Sequence, residues 1–431
     1  MNNRVIKNAS WIIMCRVVQA VLGLIISMIM ARYLGPSNFG LLNYANSIVT
    51  FVIPVMRLGI HGVLVQEFVA SEEYEGEILG TSITLSFISA IVCIIGIITF
   101  VSCVNAGERD TIIVCTLYSF TLIFQSFEMI NYWFQAKLLA KYSSIIALIA
   151  YTVVSLYKII LLINRKSIFW FAVANTLDYL VIAAGLLIVY HRLGNQKLRY
   201  LKRRAKKLIS IGKYYILSDL LITVFAQTDR IMLKSMMGNQ ATGYYSAAVA
   251  CAGMTQFVFG AIIDSMRPTI FESRKKSEEL YKKNLARLFS VIIYLSLIQS
   301  VVMTLFAPLI VSILYGRQFI QSISALQIVV WYTTFSYLGS ARNIWILAEG
   351  KQKHLWKINL FGALANVLLN TLLIPPFGVN GAAIASLITQ FATNFITGYI
   401  FAPIRGINQV ILKGADPMLF VDTVKKIIRN R

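Results

Sequence analysis

Charge is what this chain has least of. Only 13% of its 431 residues are Asp, Glu, Lys or Arg, about half the share of an ordinary soluble domain. That scarcity excludes a soluble enzyme. Acidic residues are the scarcer sign, 18 against 40 basic ones, and the net charge is +22. Histidine occurs three times. The five cysteines, Cys15, Cys93, Cys103, Cys115 and Cys251, lie in or beside apolar segments with no C-x-x-C spacing. A disulfide framework and a cysteine metal site are therefore not expected; these thiols read as small apolar packing groups. No G-x-x-x-x-G-K-[ST] stretch is present, so no phosphate-cradling loop drives the protein with ATP. No nucleophile–base set is apparent, and the connecting loops are too short for a glycan-joining domain. The expectation is a protein that is not an enzyme and needs no cofactor. Any energy input would come from a proton or sodium gradient or from substrate supply.

Apolar residues fill the space left, at 58%. A membrane-spanning helix needs about 20 of them in a row. Twelve segments qualify: 10–33, 41–65, 79–103, 111–135, 143–163, 168–190, 212–236, 242–266, 285–307, 323–347, 355–374 and 379–402. The N-terminus is basic, but the apolar run behind it is long enough to span and lacks a small-residue cleavage pattern, so no cleavable signal is expected. The pair Pro375-Pro376 reads as a loop, because an interior proline removes a helix hydrogen bond. The expected fold is all-α and integral to the membrane.

The +22 balance would suggest nucleic acid in a soluble protein. Here Lys and Arg collect in alternate connectors, at 191–211, 267–284, 348–354 and 403–431, whereas the opposite loops hold few. Positive residues stay inside, so both termini are expected in the cytoplasm and no nucleic-acid partner is expected. One inner loop dissents: residues 66–77 carry Glu67, Glu72, Glu73, Glu75 and Glu77. The connector 191–211 spaces Leu198, Leu201, Ala205, Leu208 and Ile209 among basic residues, which suits an amphipathic helix on the inner leaflet. It divides the chain into a six-helix lobe at 1–190, a connector, a second lobe at 212–402 and a basic tail at 403–431.

That division invites a search for a repeat. The stretch from Arg32 to Ala45 lies over Ser235 to Ala248, with Gly35 and Gly40 over Gly238 and Gly243. In this register Arg16 falls opposite Asp219 and His61 opposite Asp264. Both copies start inside, so the lobes are expected to be related by a pseudo-twofold along the membrane normal, around a central cavity.

A charge at the bilayer centre costs at least about 2.5–3.5 kcal/mol and marks function or pairing. The charges within spans are Arg16, Arg57, Glu128, Lys158, Asp178, Asp219, Asp229, Arg230, Asp264 and Arg342. Arg16, Arg57, Arg342 and Asp219 fall in the cytoplasmic half. Arginine grips phosphate oxygens in bidentate fashion and stays charged when desolvated. These four are the candidate substrate-binding residues, for a substrate bearing phosphate or pyrophosphate, or else structural pairs such as Arg16 with Asp219. Asp178, Glu128, Asp229 and Arg230 are the candidate lumen or coupling residues, with structural pairing as the plainer alternative. Lys158, near a span end, reads as snorkelling to the interface. Tyr44, Asn46, Asn131, Tyr132, Trp133, Gln135, Asn343 and Trp345 are candidates to stack on or bond sugars, against belt and packing roles. No metal site is expected.

Four stretches carry a family resemblance: ARYLGPSNFGLLNYANSI (31–48) followed by RLGI (57–60), NYWFQAKLLAKY (131–142), TDRIMLKSMMGNQATGYYSAA (228–248) and IPPFGVNGAAIASLITQ (374–390). On these the chain resembles the Wzx-type polysaccharide repeat-unit flippases of the multidrug/oligosaccharidyl-lipid/polysaccharide exporter superfamily. The resemblance implies two six-helix lobes around a V-shaped cavity, alternating access and a bacterial inner-membrane location. It implies translocation of undecaprenyl-pyrophosphate-linked oligosaccharide, for O-antigen or capsule, from the cytoplasmic to the outer leaflet. Cationic residues of the first helices would hold the pyrophosphate, which fits Arg16 and Arg57. Expected partners are the lipid-linked substrate, membrane lipids, and a polysaccharide polymerase and chain-length regulator. A multidrug/cation antiporter of the same superfamily and a peptidoglycan-precursor flippase are the alternatives.

Overall fold

A computed structural model describes residues 3–194 and 196–429, apart from the side chains of 3–13, Arg16, Val424 and 426–429. Every regular element among the described residues is helical. Hydrocarbon offers no partner for a backbone N–H or C=O, and a helix satisfies all of them within itself.

Among the described residues, eight helical stretches are long and apolar enough to cross a membrane. Three of them turn at a glycine with positive φ: Gly35 (φ 73), Gly238 (φ 87) and Gly378 (φ 55). Each is a hairpin. Met30 and Phe39 line one cavity across the first turn, and Tyr245 bonds to Asp229 across the second. With Ser322–Ala348, which is less apolar, the stretches resolve into the twelve spans read from the sequence. The conformations at the two aligned glycines nearly coincide: ψ is 171° at Gly35 and −177° at Gly238. The aligned stretches thus form the same kind of turn, which glycine adopts without the strain a Cβ would bring.

Several spans are not the plain helices expected. The second breaks at Arg57–Ile60, between Met56 and His61. Leu58 (φ 50) and Gly59 (φ 63) are left-handed there. The backbone of Gly212 packs so closely that a Cβ on Gly59 would lie 2.1 Å from the Gly212 carbonyl oxygen. The fourth span passes through a 3₁₀ turn at Ser126–Met129. The twelfth carries a π turn at Ala392–Ile396. Pro375 and Pro376 do not end the eleventh span; they lie inside the helix, and the chain turns at Gly378 instead.

By contacts the chain forms two units, Met1–Gln227 and Thr228–Arg431. The division falls within the long helix Lys202–Ala252, beyond the connector at 191–211. The first half of the seventh span packs with the N-terminal unit, through Gly212 against Gly59 and the Tyr215 ring against Gly62. The connector is not an amphipathic helix throughout. The sixth span ends at Leu193, and the next helix starts at Lys202. Between them the backbone is held by the third span. Arg199 N–H donates to the Gly76 carbonyl at 3.1 Å, and Leu201 N–H donates to Thr81 Oγ1 at 3.0 Å. Ala205 and Leu208, two of the expected apolar-face residues, are buried.

The acidic loop that broke the charge pattern is explained here. Glu67 pairs with Lys207 at 2.7 Å and Glu75 with Lys137 at 2.5 Å. Arg204 reaches Glu77 at 3.8 Å. Glu67 and Glu77 thus neutralise part of the basic connector and pin it, while Glu75 is taken by Lys137 at the end of the fourth span. In the C-terminal unit, the tail expected at 403–431 forms the helices Gly406–Gly414 and Pro417–Arg429. Ile407, Val410 and Ile411 of the first join the core of that unit.

Candidate functional site

The break in the second span separates Arg57 from His61 by a non-helical turn. Arg57 Nη2 donates to Glu128 at 2.6 Å, the two side chains being 25% and 21% exposed. Glu128 stands on the 3₁₀ turn of the fourth span. His61 Nε2 lies 3.1 Å from Asp219 Oδ2, on the seventh span. The Tyr132 ring sits 6.2 Å from His61, and its hydroxyl is within electrostatic reach of Arg57, Glu128 and Asp219. One constellation in the N-terminal unit therefore joins three expected site residues, Arg57, Glu128 and Asp219, to His61. It holds two oppositely charged pairs when His61 is protonated. Arg57 Nε is buried and makes no hydrogen bond, so Glu128 engages only part of the guanidinium fork. Broken helices at membrane depth are where transporters expose backbone and charge to a ligand.

Two expectations change here. Asp219, expected either at the substrate or as a structural partner of Arg16, belongs to the N-terminal unit and lies against His61. The Arg16 side chain lies outside the described residues. Arg342, expected beside Arg57 at the substrate, is 3% exposed and donates Nη1 to the Thr393 carbonyl at 2.6 Å. The π turn at Ala392–Ile396 includes that carbonyl, so Arg342 is tied to the backbone of the twelfth span, while its Nε, like that of Arg57, is buried without a hydrogen bond.

Lys158 does not snorkel. It lines a cavity of about 210 Å³ in the N-terminal unit, with Asn43, Asn46, Tyr118, Tyr151 and Asn175. Its Nζ is 3.3 Å from Asn175 Oδ1, and Asp178 lies within its electrostatic reach. Asp178 Oδ1 is buried without a hydrogen bond.

The C-terminal unit buries one carboxylate deeply. Asp229 is 6% exposed. Its Oδ1 accepts from Asn366 Nδ2 at 3.1 Å and Asn370 Nδ2 at 2.7 Å. Its Oδ2 accepts short bonds from the Tyr245 and Ser386 hydroxyls. Four neutral donors from the eighth, eleventh and twelfth spans thus converge on it. Neighbouring Arg230 turns to Ser246, with Nε 3.3 Å from its Oγ, as the divergence of adjacent helical positions requires. The sequence signal for this cluster was Asn366 and Asn370, four apart on one face of an apolar helix.

Most candidate sugar-stacking aromatics are committed to packing. Trp133 Nε1 donates to Glu75 at 2.8 Å and Tyr44 Oη to Asn105 at 3.0 Å. Trp345 is 5% exposed beneath the Lys351 ammonium. Among the described residues no group of three His, Cys, Asp or Glu side chains is placed to hold a metal ion.

A membrane-embedded, all-helical chain with charged groups on broken spans has the build of a transporter. Its sequence matches the polysaccharide biosynthesis protein family over residues 5–274, and it belongs to that family. The capsular polysaccharide biosynthesis protein CapF of Staphylococcus aureus is 22% identical over 92% of this chain and 98% of its own length. An uncharacterized membrane protein of Methanocaldococcus jannaschii is 26% identical over 51% of this chain and 46% of its own, so the match spans about half of that relative. Among solved structures, the lipid II flippase MurJ in an inward closed conformation matches with a TM-score of 0.73 at 14% identity, over 96% of this chain and 92% of MurJ. A multidrug resistance MATE transporter of the MOP superfamily, facing inward, matches with a TM-score of 0.67 at 13% identity, over 92% and 96%. The fold is that of the MOP-superfamily transporters.

Proposed function

We propose that this protein flips an undecaprenyl-pyrophosphate-linked oligosaccharide from the cytoplasmic to the outer leaflet of a bacterial inner membrane, supplying O-antigen or capsule assembly. The observation that carries the reading is Arg57: a guanidinium on an unwound turn within a span, only partly engaged by Glu128. A pyrophosphate is the stronger partner for an arginine fork. On its arrival Glu128 gives up Arg57, and the lipid-linked anion takes its place. Family membership and the similarity to the capsular polysaccharide biosynthesis protein CapF support a polysaccharide substrate. The asymmetry of Lys and Arg between loops supports cytoplasmic termini. The polymerase and chain-length regulator of the same pathway are the proposed protein partners.

Asp229 is the proposed coupling carboxylate. Neutral donors meet it on every side given by its bonds, and exchange of these for a proton or sodium ion would tie its cluster to a gradient. The same feature favours a second reading, a cation-coupled drug antiporter. The deciding experiment is translocation by the purified protein in liposomes, of the lipid-linked oligosaccharide in one arm and a lipophilic drug cation in the other. Transport of the drug alone overturns the proposal.

A further inference from the structure

The Gly238 and Gly378 turns and the start of the tenth span border a cavity of about 410 Å³ in the C-terminal unit, within the usual size of small-molecule sites. Two rings line it, Tyr244 and Phe377, and so do the side chains of Gln240, Gln321, Ser324 and Asn380. No charged side chain is among its described lining residues. Phe377 is 55% exposed, so its ring is open to a ligand. Two of the polar groups are partly spent: Gln240 Nε2 donates to Tyr244 Oη at 2.7 Å, and Ser324 Oγ donates to Asn380 Oδ1 at 2.9 Å. The Gln321 amide and the Asn380 NH₂ make no hydrogen bond among the described residues.

That chemistry selects a ligand. A phosphate or carboxylate finds no counter-charge here, and neither does a drug cation. A hydrocarbon chain would strand the amides, which cost free energy when buried unpaired. A neutral sugar ring meets both demands. Its C–H face lies on an aromatic ring, and its hydroxyls, each donor and acceptor, match carboxamides that offer both functions. We infer that this cavity is a binding site for a neutral pyranose unit. Under the orientation proposed above, the turns beside it lie opposite the basic connectors 267–284 and 348–354, on the outer side. There it would hold a sugar of the glycan after translocation; that role rests on the flippase reading, whereas sugar binding itself does not.

The test uses the full-length protein in lipid nanodiscs prepared without glycoside detergent. Saturation-transfer difference NMR is recorded with methyl β-D-glucopyranoside, methyl N-acetyl-β-D-glucosaminide and methyl β-D-glucuronide. Transfer to the ring protons of a neutral glycoside is expected. Affinity should fall about fivefold in Gln321→Ala, as for one lost neutral hydrogen bond, and at least as far in Phe377→Ala. Among the described residues Gln321 holds no hydrogen-bond partner through its side chain, so its variant should keep the wild-type melting temperature. Three results overturn the inference: no transfer to either neutral glycoside, unchanged affinity in both variants, or preference for the glucuronide. Sugar binding without lipid-linked oligosaccharide translocation would defeat the flippase reading alone. Translocation without sugar binding would defeat this inference alone.

Discussion

Replacing Arg57 by Met and Glu128 by Gln, singly and together, separates a structural ion pair from a substrate site. The pair is 2.6 Å apart and about three-quarters shielded. Exposed pairs contribute about 0.2–1 kcal/mol, whereas removing one partner of a buried pair costs about 3–5 kcal/mol. For this degree of burial each single replacement should cost about 2–3 kcal/mol. The double replacement leaves no stranded charge and should recover all but about 1 kcal/mol. Thermal unfolding of the purified variants reads this out. Translocation then decides the role. If Arg57 receives the pyrophosphate, the double variant is stable and inactive. If it regains both stability and wild-type translocation, Arg57 is structural and the proposed site is wrong. Strictly additive losses of stability would refute the pairing itself.

Three further outcomes follow from the geometry. Gly238→Ala, with open space around the new Cβ, should cost only the backbone strain of its positive-φ, extended-ψ conformation, about 1–3 kcal/mol. Gly59→Ala meets the Gly212 carbonyl oxygen at 2.1 Å and adds an overpacking cost of about 1–3 kcal/mol; equal melting temperatures for the two variants would contradict the close crossing. Asp229→Asn keeps the shape of a side chain whose four hydrogen bonds come from neutral donors, so the protein should fold, at a cost of about 1–3 kcal/mol, while translocation loses its dependence on an imposed sodium or proton gradient. Gradient dependence unchanged from wild type would exclude Asp229 as the coupling group. Finally, the hydrogen bond to Glu75 holds the Lys137 ammonium above its usual pKa. A raised lysine contributes fully below its unfolded value of about 10.4 and loses that contribution as pH climbs through the folded value. The thermal stability of the wild type should therefore drop in strong alkali more steeply than that of Glu75→Gln.

The spans were legible because each depends on a local property, the length of an apolar run. The Gly35 and Gly238 turns were legible for the same reason. What the sequence hid depends on neighbours distant in the chain. The RLGI stretch at 57–60 carried the family resemblance, yet nothing in it announces a helix break. The break exists where Gly212, more than a hundred residues away, packs on Gly59. That crossing also brings the seventh span to the second and gives Asp219 to His61. The internal alignment gives equivalent positions in the two copies, not packing, so it could not announce that contact. Arg342 reads as an intramembrane charge from any angle of the sequence, and only the π turn reveals that a carbonyl takes it. Pro375 and Pro376 were read as a loop because their cost to a helix is real; being next to a turn at Gly378, they end up within its last residues.

The most direct test of the account is translocation of undecaprenyl-pyrophosphate-linked oligosaccharide in liposomes containing only this protein. Wild-type protein should move the glycan to the opposite leaflet, and the stable Arg57→Met/Glu128→Gln variant should not. Wild-type liposomes no faster than empty ones, under either sign of an imposed ion gradient, would contradict the claim that this chain is a lipid-linked oligosaccharide flippase.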